Sequence, residues 1–519
     1  MNDTILERLV ARLQGASPSE WVACLRDLRQ SGDFPLAECL VEDALRRFPG
    51  NRDLLWIKAL LAMDVSAYAS ARATLLEIAR DSLSDVGIIL RLARMLVQCG
   101  SYDGAASAIT GMLATAKQSV EVVLKSVDLL CDADRKSIAS KICEGALAEG
   151  VIDARLSVVA GSLASQLGNF QRAREHFLQA VELDNGNLSW AAVAGLVHTQ
   201  RYVSASNPDF SLLHKALLNK DLPDRSRASI LFALGKAYDD VGDSLTGAWA
   251  FREANALARG SRTWTRFDWW QLIQSRLASG PLVCQSQRET PWKPVFIVGI
   301  PRSGSSVIAD RLCRFAGTRN RGELPWLHHL ARQLAEPIHG DTRRLLELAR
   351  IYEMHLLQDD GRVQFYIDKQ PLNLLFIDLI VGVWRQAKII YCERSPRDTA
   401  LSIWMQDFSD AQHSYSFDFG DIAQFMAGCR QLMMHWESLY PMSIRKVCYE
   451  DFLDNPEETL QELANWIGLE EHMRRVDSID APVAIATASL WQARQSVYKY
   501  ARERWRRYIS YLPELAEFE

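Results

Sequence analysis

Val295-Phe296-Ile297-Val298-Gly299-Ile300-Pro301-Arg302-Ser303-Gly304-Ser305-Ser306 decides how the second half of the chain is read. Four apolar residues in a row, preceded by Pro291 and Pro294, predict a short buried strand. The strand runs straight into two glycines with four residues between them, then hydroxyl residues, then a helical pattern. That is the spacing of a phosphate-binding loop, in which backbone N–H groups and a helix N-terminus face an anion. A nucleotide hydrolase or kinase of this type needs Lys directly after the second glycine, to reach the β- and γ-phosphates. Here the position holds Ser305, and the loop carries Arg302 inside it. The loop is shaped for a phosphate and poorly equipped for a triphosphate with Mg²⁺.

Downstream, apolar runs at Phe365-Tyr366-Ile367, 387–392 and 444–449 predict further strands, with helical stretches between them. One helix is expected to begin near Pro396. Another is expected at Asn455-Pro456, with Asn455 as N-cap, Pro456 in the first turn, Glu458 placed for a capping box and Gly468 as the stop. Strands alternating with helices predict an α/β domain with a mostly parallel sheet, whose ligands sit beyond the carboxyl ends of the strands.

Upstream the pattern is different. Ala37, Ala71, Ala105, Ala139 and Ala173 recur every 34 positions. Four residues after each come Val41, Leu75, Ile109, Cys143 and Phe177, and three further on Ala44, Ile78, Met112, Ala146 and Ala180. Gly32, Gly100 and Gly168 precede the first column, where a helix must end and turn. Small residues at fixed spacing let paired helices approach closely, and larger apolar ones fill the seam to the next pair. The period resembles the tetratricopeptide repeat, most clearly over 163–187 and again at Leu234, Gly235, Tyr238, Gly242, Phe251 and Ala254, with a break between His198 and Pro208. The expected architecture is therefore multi-domain. An all-α, tetratricopeptide-type helical solenoid is expected over 1–282, a linker over 283–293, and a P-loop-like α/β domain over 294–519.

Composition bounds the rest. A chain of 519 residues is too long for one core. With 48% hydrophobic and 24% charged residues it has a globular balance, and a net charge of −5 argues against a general nucleic-acid binder. Ten cysteines without paired CxxC spacing read as reduced thiols. No charged-then-apolar leader and no membrane-length apolar run is visible, so a cytoplasmic protein is expected. His328 and His329 are adjacent on an expected helix and point apart, with no further ligands at useful spacing, so no metal is expected there.

The segment from Val295 to Ser306 resembles the 5′-phosphosulfate loop of sulfotransferases. Ile389-Ile390-Tyr391-Cys392-Glu393-Arg394-Ser395-Pro396-Arg397-Asp398, with Ser402 following, resembles that family's second donor-binding element. Further matches are Ile367-Asp368-Lys369-Gln370-Pro371-Leu372-Asn373, Val447-Cys448-Tyr449-Glu450-Asp451-Phe452 and Thr487-Ala488-Ser489-Leu490-Trp491-Gln492-Ala493-Arg494-Gln495. Gln370, Glu393 and Ser395 depart from the commoner pattern without removing a residue of assigned role. The likeness covers nearly all of 290–519. It is closest to bacterial proteins that join tetratricopeptide repeats to a sulfotransferase domain, and beyond them to tyrosylprotein sulfotransferases.

The resemblance implies a donor, 3′-phosphoadenosine-5′-phosphosulfate, a product, 3′-phosphoadenosine-5′-phosphate, and no metal. It implies donor binding by Pro301, Arg302, Ser303, Gly304, Ser305 and Ser306, by Arg394 and Ser402 at the 3′-phosphate, and by Ser489, Arg494 and Lys499 or Arg502 near the C-terminus. It places a general base at Glu323, in Gly322-Glu323-Leu324-Pro325, and a cation near the leaving oxygen at Lys369, with Arg302 also catalytic. The acceptor is a hydroxyl. A peptide or protein tyrosine and a small-molecule or glycan hydroxyl are both compatible with these residues, as are a protein partner on the repeats and a homodimer. A catalytically inactive repeat scaffold is the other reading, and the joint presence of Arg302, Glu323, Lys369, Arg394 and Ser402 argues against it.

Overall fold

In a computed structural model the described residues are 2–81, 84–115, 119–183, 190–261, 263–280, 290–333, 342–359, 361–408, 411–469 and 502–519. They form two compact units, Met1–Ile142 with Glu353–Gly361, and Cys143–Tyr352 with Arg362–Glu519. Most of the expected linker, and Ser489, Arg494 and Lys499, lie outside the described residues.

The first half is helical, and its helices keep the period of the sequence. Helices Phe34–Arg47, Tyr68–Arg80, Tyr102–Thr115, Lys136–Ala148 and Phe170–Leu183 begin 34 residues apart (34, 68, 102, 136, 170). Their partners Pro18–Ser31, Arg52–Asp64, Val86–Gln98, Val120–Asp132 and Ala154–Gln166 do the same (18, 52, 86, 120, 154). Each alanine of the first column is buried. The turn within each pair needs one left-handed residue. Gly32, Gly100 and Gly168 supply it with φ of 78°, 70° and 82°, and the two intervening places are filled by Ser66 at 59° and Asp134 at 51°. Large-into-small packing is visible where a Cβ on Gly161 would come within 2.8 Å of the Phe177 ring, and one on Gly235 within 2.8 Å of Phe251.

In the first unit, helix Tyr102–Thr115 receives its N-terminal cap from a distant segment. Asp359 accepts from the backbone N–H of Tyr102 (3.1 Å), Asp103 (3.1 Å) and Gly104 (3.4 Å), and from the Ser101 hydroxyl (2.9 Å). Nearby, the Tyr102 hydroxyl pairs with His355 Nδ1 at 2.7 Å.

The second unit contains a five-stranded sheet of order β2-β3-β1-β4-β5, in which every pairing is parallel. The strands are β1 Lys293–Gly299, β2 Thr318–Asn320, β3 Phe365–Asp368, β4 Lys388–Glu393 and β5 Ile444–Cys448. β1 and its neighbours are buried on both faces, with Val295, Ile297, Ile367, Ile390 and Phe452 in one core cluster, as helices on both sides of a parallel sheet require. β2 was not foreseen: three residues are too few to carry a periodic signal. The capping box expected at Glu458 does not form, and the Asn455 side chain makes no cap bond. The reason is local: a short helix, Tyr449–Asp454, ends at Asn455, whose N–H already donates to Asp451 O at 2.9 Å.

Helices before the sheet belong to this unit as well. Arg276, in helix Arg266–Leu277, is buried in an ion pair with Asp378 and donates through Nε to Leu375 O at 2.9 Å. Asp239, in helix Asp224–Val241, accepts from Arg504 at 2.6 Å and from the Tyr508 hydroxyl at 2.7 Å. No described helix is long and apolar enough to cross a membrane.

Candidate active site

β1 is the central strand, so the loop that leaves its carboxyl end is flanked by the ends of β3 and β4. The backbone of this loop is set by three left-handed or open positions, Gly299 (φ 151°), Arg302 (φ 74°) and Gly304 (φ 96°). The glycines are demanded by close approach. A Cβ on Gly304 would lie 2.2 Å from Tyr449 Cδ2, and one on Gly299 would lie 2.4 Å from Cys392 O. Arg302 holds a conformation that costs a non-glycine residue roughly 1–3 kcal/mol, and such strain concentrates at ligand sites. Helix Ser305–Leu312 follows immediately, with Gly304 as its N-cap. Pro301, Ser303 and Ser305 are buried, and Ser306 is half-buried. Among the described residues Ser303 Oγ is buried with no hydrogen-bond partner. A buried hydroxyl in that state can donate to a ligand or a water.

The end of β4 supplies the second element. Arg302 Nε donates to Ser402 Oγ at 3.0 Å, and Arg394 Nη1 donates to the Arg302 carbonyl at 3.1 Å. Arg394 also lies over the Tyr449 ring, 5.4 Å from its centre. Arg302 is therefore in one place with Arg394 and Ser402, which lie 92 and 100 residues further along the chain. Burial pushes the Arg302 guanidinium down to about 10, helped by the positive charges of Arg394 and Arg504. Burial lowers Arg394 as well, against the pull of Asp398. Guanidiniums crowded together relieve their repulsion by taking up an anion.

Arg504 was not singled out from the sequence. It lies close after Lys499 and Arg502, the residues that the family resemblance points to. Arg502 is instead half-exposed and paired with Asp454 at 2.9 Å. The signal that would have separated Arg504 from its neighbours is Asp239, 265 residues upstream, and no local pattern connects the two. The same C-terminal turn is fixed by Asp398, which accepts from the N–H of Glu503 (2.7 Å) and Trp505 (3.0 Å).

The third element is the turn after β2. Arg321 N–H donates to Ile367 O and Lys369 N–H to Gly322 O, both at 2.8 Å, so the turn is an extension of the β2–β3 ladder. Gly322 is left-handed, with φ of 66°. This brings Glu323 against Lys369 in an ion pair in which the lysine is buried and the carboxylate side chain is 40% exposed. A carboxylate held beside an ammonium and still open to solvent can accept a proton from an incoming hydroxyl. His328 lies edge-on to Phe376 with its ring centre 4.9 Å away, and burial pushes it down to about 4. His329 is exposed beside Trp326.

Residues 294–473 match the model of the sulfotransferase family. An uncharacterized protein of Aquifex aeolicus (strain VF5) is 27% identical over 378 residues, 68% of this chain. The chain spans 48% of that curated relative, about half its length. Among solved structures, the sulfotransferase domain of the Synechococcus PCC 7002 olefin synthase is 17% identical and aligns over 43% of this chain and 90% of its own, with a TM-score of 0.32. A tetratricopeptide repeat protein from Parabacteroides merdae is 15% identical over 46% of this chain and 93% of its own, with a TM-score of 0.26.

Proposed function

We propose that the chain moves a sulfuryl group from 3′-phosphoadenosine-5′-phosphosulfate to an acceptor hydroxyl, with Glu323 as general base. The observation that carries the reading is the convergence of Arg302, Arg394 and Ser402 at the carboxyl ends of β1 and β4, beside a loop whose Ser303 hydroxyl is buried with no hydrogen-bond partner among the described residues. The residues fit an anionic donor with phosphates at both ends of its ribose. Ser303 and Ser305 with the helix N-terminus suit the 5′ end, and Arg394 with Ser402 suits the 3′-phosphate. The donor, when bound, supplies an activated sulfuryl group on a phosphate leaving group. Such transfers need little covalent chemistry from the protein and much positioning and charge neutralisation.

The chain's own residues divide that work. Glu323 takes the acceptor proton on its exposed carboxylate, an effect of roughly 10²–10⁴-fold. Lys369 holds that carboxylate in place by pairing with it and, with Arg302, offsets charge on the departing phosphate oxygens. The residues read near the C-terminus, Ser489, Arg494 and Lys499, complete the donor site in this scheme. We take a polypeptide tyrosine as the acceptor class, with the helical repeats of residues 1–282 as the polypeptide-binding part and residues 294–519 as the catalytic part. The support is the likeness of the Glu323 segment to tyrosylprotein sulfotransferases. Incubation with labelled donor and a cell lysate, followed by mass spectrometry, tests both levels. Sulfated tyrosine peptides are the expected result, and sulfate gained only by small molecules or glycans would replace the acceptor. Absence of any transfer would overturn the function.

A further inference from the structure

Asp368 ends β3, and its side chain is 1% exposed. Its Oδ2 accepts from the Tyr352 hydroxyl at 2.6 Å and from Asn373 Nδ2 at 2.9 Å, and its Oδ1 accepts from Leu324 N–H at 3.4 Å. These donors come from three segments: helix Thr342–Leu357, the turn Pro371–Phe376 and the residue following Glu323. Tyr352 is itself fixed, stacked on Phe296 of β1 with ring centres 6.0 Å apart and packed on Trp384 at 5.0 Å. Burying a carboxylate is costly, and burial pushes Asp368 up to about 7 in spite of its donors. Such a group adds little net stability, so its worth is sought in what it positions.

What it positions is a closed ring. Glu323 is bonded to Leu324, Leu324 donates to Asp368, Asp368 is bonded to Lys369, and Lys369 pairs with Glu323. Two covalent and two non-covalent links thus tie the base to the cation. Opening the ring at Asp368 removes one tie on the turn, which keeps its backbone bonds to Ile367 and Lys369, and leaves both reactive groups chemically intact. We propose that Asp368 is a positioning residue that sets the Glu323–Lys369 pair, with Tyr352 as its anchor on β1. The inference rests on the sulfuryl-transfer reading for its consequence in turnover, and on the ring alone for its consequence in structure.

The test uses the full chain with Asp368→Asn, which keeps the shape, and Tyr352→Phe, which removes one donor without changing the packing volume. Hydrogen exchange is followed for peptides covering 320–326 and 299–306, together with kcat, donor Kd and the thermal transition. Exchange at 320–326 is expected to rise at least tenfold in Asp368→Asn and less in Tyr352→Phe, with 299–306 unchanged. kcat is expected to fall roughly 10- to 100-fold with donor Kd within twofold, because small misplacement of a reacting group is enough to cost that much. Unchanged exchange at 320–326 in both variants would overturn the positioning role. So would parallel loss of kcat and donor affinity, which marks general damage. If exchange responds as expected but the wild-type chain transfers no sulfuryl group, Asp368 positions the turn and the proposed function is what fails.

Discussion

Glu323 and Arg394 make opposite demands on substitution. Glu323→Gln preserves shape and removes the proton acceptor, so donor Kd is expected to stay within twofold while kcat falls by roughly 10²–10⁴. Stopped-flow or discontinuous assay of sulfate transfer checks it, and a Gln variant within threefold of wild type would move the base elsewhere. Asp368 gives a pH signature. Its folded-state carboxyl titrates at about 7, above the ordinary carboxylate range, because burial disfavours the charge. The folded chain therefore binds this proton more tightly than the unfolded chain. The associated stability is fully present below about pH 4 and lost as pH rises through about 7. Urea unfolding across pH 4–8 is expected to show that decline in the wild type and a flatter curve in Asp368→Asn. At this scale the sequence was legible where a motif carried the residue, as with Arg302, Arg394, Ser402, Glu323 and Lys369. It was silent where no motif linked the partners: Arg504 depends on Asp239, 265 residues upstream.

Elements were read in proportion to their periodicity. The helix pairs repeat because each turn needs one left-handed residue and each seam one small residue, and both recur every 34 positions. Even so, Ser66 and Asp134 occupy two of those left-handed places without the glycine that announced the others. Strands β1, β3, β4 and β5 were visible as apolar runs, whereas β2 is defined by pairing with β3 and by little in its own residues. The cap of helix Tyr102–Thr115 was equally hidden, because its acceptor is Asp359, 257 residues away. Loss of a helix N-cap costs about 0.5–2 kcal/mol. Asp359→Ala is expected to lower the stability of the first unit by an amount in that range. Peptides from 101–115 should then exchange hydrogen faster while those from 293–299 do not. Equal protection at 101–115 in the variant would show that Asp359 does not cap the helix.

Across the whole molecule, the sheet does not stand apart from the helices that precede it. Asp378 and Arg504 in the sheet-bearing half have their charge partners, Arg276 and Asp239, in helices before residue 280. Removing one member of a buried pair costs about 3–5 kcal/mol, because the other is left as an uncompensated charge. A fragment beginning near residue 286 is accordingly expected to lack a cooperative thermal transition by circular dichroism, and a sharp transition would mean that these pairs are dispensable. The central claim concerns what the second unit binds. Titration calorimetry of the full chain with 3′-phosphoadenosine-5′-phosphate, in the absence of Mg²⁺, tests it most directly. The account expects tight, metal-independent binding that weakens by roughly 10- to 150-fold in Arg394→Ala, the worth of a charge-assisted hydrogen bond of about 1.5–3 kcal/mol. Equal affinity in wild type and Arg394→Ala, or a preference for ATP with Mg²⁺, would contradict it.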